Sequence, residues 1–105
     1  MKFKSIFEGL KIAYGQYQKG ERGENGKQQG KAFIVRKKIT DDLWQNHVEG
    51  KGAALGIIPI TESNTCKWGC IDIDEYNLSH SDLISRIRSL KLPLIVCRSK
   101  SGGAH

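Results

Sequence analysis

The stretch that most constrains how this 105-residue chain can fold is Trp68-Gly69-Cys70-Ile71-Asp72-Ile73-Asp74-Glu75-Tyr76, a short apolar run ending in carboxylates. Its alternation predicts a β-strand in which Cys70, Asp72 and Asp74 share one face while Ile71 and Ile73 anchor the other. Two ionised side chains about 7 Å apart repel, and burying either one uncompensated is costly. A divalent cation between them removes the difficulty. Hard oxygen ligands of this kind suit Mg²⁺ or Mn²⁺, with the phosphates of a nucleotide completing the shell. The competing reading is a strand end facing water, because a three-residue Asp-x-Asp match is cheap.

A second feature shifts that balance. The chain closes with Leu92-Pro93-Leu94-Ile95-Val96-Cys97-Arg98-Ser99-Lys100-Ser101-Gly102-Gly103-Ala104-His105, a β-branched apolar run leading into a small, basic, glycine-containing turn and a histidine. Glycines let backbone N–H groups approach an anion, Ser101 and His105 can donate to phosphate, and Arg98 and Lys100 add positive charge. A flexible basic tail is the plainer alternative.

Together, Asp72-Ile73-Asp74 and Ser101-Gly102-Gly103-Ala104-His105 resemble the first two signature motifs of the archaeo-eukaryotic primase superfamily. More narrowly, Leu55 to Ile60 followed by Thr65-Cys66-Lys67-Trp68-Gly69-Cys70-Ile71-Asp72 is similar to the primase domains of TOTE conflict systems. The likeness covers residues 40 to 105, and more faintly Phe7-Glu8-Gly9 to Tyr14-Gly15. It implies an α+β fold: a small, mostly antiparallel sheet with packed helices, the RRM-like core of these enzymes. It further implies a template-dependent nucleotidyltransferase in which Asp72 and Asp74 bind metal and act in catalysis. Arg98, Lys100, Ser101, Gly102 and His105 would bind the nucleotide. Nucleoside triphosphates, a single-stranded DNA template and a primer are the implied partners, with helicase or nuclease modules attached in a longer protein. The family takes a third carboxylate from a later motif, so residues 1–105 are expected to be the N-terminal part of one catalytic domain, inactive alone.

Composition sets the outer limits. Seventeen Lys and Arg against eleven Asp and Glu leave a formal charge of +6, which favours a polyanionic partner. No apolar stretch approaches the ~18 residues of a membrane span, and no signal-peptide core follows Met1, so a cytoplasmic protein is expected. Cys66, Cys70 and Cys97 are expected to be reduced and packed in the core.

Along the chain, Phe3, Ile6, Phe7, Leu10, Tyr14 and Tyr17 follow helical spacing. Residues 18–31 hold no apolar side chain and read as a mobile loop, followed by a strand over Ala32 to Arg36. Thr40 caps a helix carrying Leu43, Trp44, His47 and Val48 on one face, closed by Gly50 or Gly52. His47 reads as packing rather than ligation. Leu55 to Ile60 forms a strand that pairs through a polar turn with Lys67 to Asp74. Ser79 or Ser81 caps a helix whose Leu83, Ile84, Ile87 and Leu90 make a buried stripe, and Pro93 ends it before a last strand. Strand, helix and strand then make a right-handed β-α-β crossover. His80 falls in the turn and is given no role.

Two other functional classes compete. A non-enzymatic basic module would grip nucleic-acid phosphates and leave the acids incidental. A sugar transferase also uses Asp-x-Asp, but has no place for the Ser-Gly-Gly-Ala-His turn.

Overall fold

The computed structural model describes residues 2–22, 28–100 and 102–105. The chain divides into two compact units, Met1–Gly69 and Cys70–His105. The first holds α1 (Lys2–Phe7), β1 (Tyr14–Arg22), β2 (Gln28–Val35), α2 (Asp41–Val48) and β3 (Ala54–Gly56), and the second holds α3 (His80–Ser89).

The sheet of the first unit runs β2-β1-β3, antiparallel throughout, which gives the α+β class expected. Its register pairs Tyr14 with Val35 and Gln16 with both Phe33 and Leu55, so these residues share a face. Tyr14 is buried on that side. The opposite face presents Gly15, Ile34 and Gly56, and Ile34 remains exposed.

The apolar core is centred on Trp44, only 2 % exposed. Phe3 meets its ring edge-on at 6.1 Å and lies 5.0 Å from Phe7, which in turn packs against Trp68 at 5.5 Å. Trp68 donates its indole N–H to the Phe7 carbonyl at 2.8 Å. Aromatic pairs at these separations add to what burial alone supplies. Lys67 ties the same corner down, reaching the Ser5 carbonyl and the Glu8 carboxylate. His47 packs within the unit, 6.0 Å from the Phe3 ring, with its Nδ1 accepting the Leu55 backbone N–H at 3.1 Å.

Local signals at the helix ends hold. Thr40 accepts from the Leu43 N–H and Ser79 from the Asp82 N–H, each satisfying a free donor of a first turn. At the far end of α2, Gly50 adopts φ +68°, its N–H bonded to the His47 carbonyl and that of Lys51 to Asn46. This is the Schellman closure that favours glycine. The end of α3 closes the same way, yet there Lys91 occupies the left-handed position at φ 55°.

Five expectations need correction. The N-terminal helix stops at Phe7, and Tyr14 and Tyr17 belong to β1, because pairing to β2 and β3 outweighs helical spacing broken by Gly9. The described part of 18–31 is strand rather than loop: Tyr17 pairs with Ala32, Gln18 with Lys31 and Lys19 with Gly30, held by backbone hydrogen bonds that need no apolar side chains. Leu55 to Ile60 contributes only its start to a strand, and its hairpin with Lys67 to Asp74 shrinks to the single bridge Ile60–Cys66 around the Thr61–Thr65 turn. In the second unit no strand flanks α3, so the β-α-β crossover is absent among the described residues. Its stripe is also shallower than expected: Leu83, Ile84 and Ile87 are half-buried and Leu90 is exposed.

Candidate active site

The second unit is organised by Ala104, a small residue 2 % exposed that bridges two neighbours at once. On one side it exchanges both backbone hydrogen bonds with Ile73, at 2.9 and 3.1 Å. On the other it pairs with Arg98, flanked by reciprocal bonds between Cys97 and His105 at 2.8 Å each. Two single-residue bridges therefore do what the expected long strands would have done. They lay the carboxylate segment alongside the glycine-rich turn.

The antiparallel register that pairs Ile73 with Ala104 sets Asp72 opposite His105. The side chains follow: Asp72 Oδ1 lies 3.1 Å from His105 Nε2, a charge contact whenever the imidazole is protonated. Both side chains stay at least half exposed, so a ligand can reach them. Asp74 is exposed and makes no hydrogen bond or ion pair among the described residues. The turn demands its glycines. Gly102 has φ +92°, and a Cβ on Gly103 would lie 2.2 Å from the Ile73 carbonyl oxygen.

Of the residues singled out from sequence, Asp72 and His105 come together here, Arg98 pairs with Ala104 one step away, and Gly102 lies within the turn, its N–H bonded to the Ser99 carbonyl. Lys100 adjoins the turn, and Ser101 lies outside the described residues. Ile71, expected as a core anchor, is 63 % exposed, because the single bridge at Ile73 leaves its side of the chain uncovered. Cys66, Cys70 and Cys97, expected in the core, are all exposed free thiols. Cys70 and Cys97 lie on segments without continuous strands, and Cys66 sits at the single bridge to Ile60 outside the sheet, so none is carried into an interior.

One residue that sequence reasoning set aside belongs to this cluster. His80 opens α3, and its Nε2 lies 2.9 Å from the Gly103 carbonyl oxygen, a contact across 23 positions that no local pattern signals. Its only herald is the adjacent Ser79 cap, which fixes where the helix begins.

The donor chemistry suits a hard divalent cation in part. Asp72 and Asp74 offer carboxylate oxygens, but among the described residues no group of three His, Cys, Asp or Glu side chains is placed to hold a metal ion. No helix of the described residues is long and apolar enough to cross a membrane.

Comparison with known families matches residues 4–105 to the archaeo-eukaryotic primase domain of TOTE conflict systems. No curated protein and no solved structure matches the chain. The family match takes in the whole carboxylate segment, the Ala104 double bridge and the glycine-rich turn, and this chain belongs to the archaeo-eukaryotic primase family associated with TOTE conflict systems.

Proposed function

We propose that the chain supplies the metal- and nucleotide-binding residues of a template-dependent DNA primase-polymerase. The observation that carries this reading is the 3.1 Å approach of Asp72 to His105, which joins a cation-binding group to a phosphate-binding one across a single register. Asp72 and Asp74 would hold Mg²⁺ or Mn²⁺. Such ions, when bound, neutralise charge on the transferred phosphoryl group and acidify the attacking 3′-hydroxyl.

The remaining work falls to the protein. His105 donates to a phosphate oxygen, and the left-handed backbone at Gly102 lets the main chain approach an anion without a side chain intervening. Arg98 and Lys100 add positive charge beside the turn. The formal charge of +6 favours the approach of template and primer strands.

The test is binding of a fluorescent nucleoside triphosphate to the chain with and without Mn²⁺, compared for wild type, Asp72→Asn and Asp74→Asn. Mn²⁺-dependent binding that weakens by about tenfold or more in either variant supports the reading. Binding that ignores Mn²⁺ and survives both substitutions overturns it, leaving a phosphate-gripping module.

A further inference from the structure

We infer that His80 is a positioning residue for this site: by holding the Gly103 carbonyl, it sets the backbone that aligns His105 with Asp72. The inference rests on the functional reading above and extends it to a residue outside both motifs.

The Asp72–His105 contact cannot be held by side-chain packing, because both side chains are at least half exposed. It is therefore held through the main chain. Gly103 is the node of that main chain. Its carbonyl oxygen accepts the Ser99 N–H at 3.0 Å and faces His80 Nε2 at 2.9 Å, so both lone pairs are engaged. Its α-carbon is pressed against the Ile73 carbonyl too closely for any side chain. The next residue, Ala104, makes the double bridge, and the one after it is His105.

A carbonyl can only accept, so His80 must carry its proton on Nε2. That requirement is met by the neutral Nε2–H tautomer and by the imidazolium alike. Because His80 is the first residue of α3, directly after the Ser79 cap, its position is fixed by a helix rather than by a loop. The bond thus transfers the rigidity of a helix terminus to a turn of small residues. Within the Ser99–Gly103 turn the described backbone bonds are short-range, Ser99 N–H to Gly103 and Gly102 N–H to Ser99 at 3.1 Å, and the His80 contact adds an anchor from a distant element.

The inference is tested on the intact chain by amide hydrogen exchange, by the long-range ¹H–¹⁵N spectrum of the imidazoles, and by Mn²⁺-nucleoside triphosphate binding. In wild type the His80 ring should show the Nε2-protonated pattern. His80→Ala should speed exchange at Ser99, Ala104 and His105 about tenfold, leave the Ile87 and Leu90 amides of α3 unchanged, shift the His105 ring signals and weaken nucleotide binding several-fold. His80→Gln, whose amide nitrogen can stand in for Nε2, should restore all of these.

An Nδ1-protonated His80 in wild type, or unchanged exchange in His80→Ala, overturns the inference, as does failure of His80→Gln to restore protection when α3 is intact. The tautomer and exchange measurements decide the role of His80 even if wild type binds no nucleotide. That last result would count against the functional reading alone.

Discussion

Substituting Gly103 by alanine tests the double bridge directly. A Cβ there would sit 2.2 Å from the Ile73 carbonyl oxygen, whereas ordinary contact begins at 3.4 Å, so the two segments must part by about 1 Å. The bonds between Ile73 and Ala104 are 2.9 and 3.1 Å long, and parting by that much takes both out of hydrogen-bonding range. At about 0.5–1.5 kcal/mol each, their loss removes about 1–3 kcal/mol of local stability. The Ser99 hydroxyl, 3.2 Å from the same Cβ, can rotate away and adds little. Amide exchange at Ile73 and Ala104 should then accelerate about tenfold to a hundredfold. Gly69→Ala is the control: nothing lies within 4 Å of a Cβ there, and its expected effect is within about 1 kcal/mol of zero. If Ile73 and Ala104 keep their wild-type protection in Gly103→Ala, the claim that this bridge aligns Asp72 with His105 is wrong.

Acid should weaken the first unit modestly through identifiable surface carboxylates. The Lys67 ammonium holds Glu8 below its ordinary value, Lys4 does the same for Asp41, and Lys51 together with the Gln45 amide does so for Glu49. A carboxylate whose folded value is depressed contributes stability that is complete above its unfolded value and lost as pH falls through the folded one. Thermal midpoints should therefore be level near neutrality and decline below about pH 4.5, the decline being shallower in Glu8→Gln and in about 1 M salt. Relief of the left-handed backbone at Lys91 should work in the opposite sense. Lys91→Gly is expected to stabilise the end of α3 by about 0.5–1 kcal/mol, read as an increased denaturation midpoint with an unchanged slope.

What could be read from the chain alone follows the range of each interaction. Caps are decided within four residues: Thr40 declares itself by residue type, and the choices between Ser79 and Ser81 and between Gly50 and Gly52 are resolved to Ser79 and Gly50. The β1–β2 hairpin escapes notice because its outer half is joined by the backbones of Gln18, Lys19, Gly30 and Lys31, whose polar side chains carry no strand periodicity. Tyr14 and Tyr17 satisfy helical spacing and strand pairing equally well, and only the partner strands decide between them. In the second unit the error runs the other way. Ile71 and Ile73 alternate as a strand should, yet a strand needs partners along its length, and among the described residues Ala104 alone supplies one. The meeting of Asp72 with His105 was foreseeable as a pairing of motifs. The grip of His80 on Gly103 was not, since it depends on where a helix end lands 23 residues from its contact.

Ala104 joins its neighbours entirely through peptide groups, with a methyl group as its only side chain. Substitution at Cys97 or Arg98 can therefore retune charge, bulk or redox behaviour next to the turn while every peptide contact survives. Replacement at Ala104 or Gly103 has no such freedom, because each is closed in by neighbouring backbone. Spatial arrangement and reactivity are thereby assigned to different positions, and a descendant of this chain could alter the chemistry beside the turn without disturbing the backbone that shapes it.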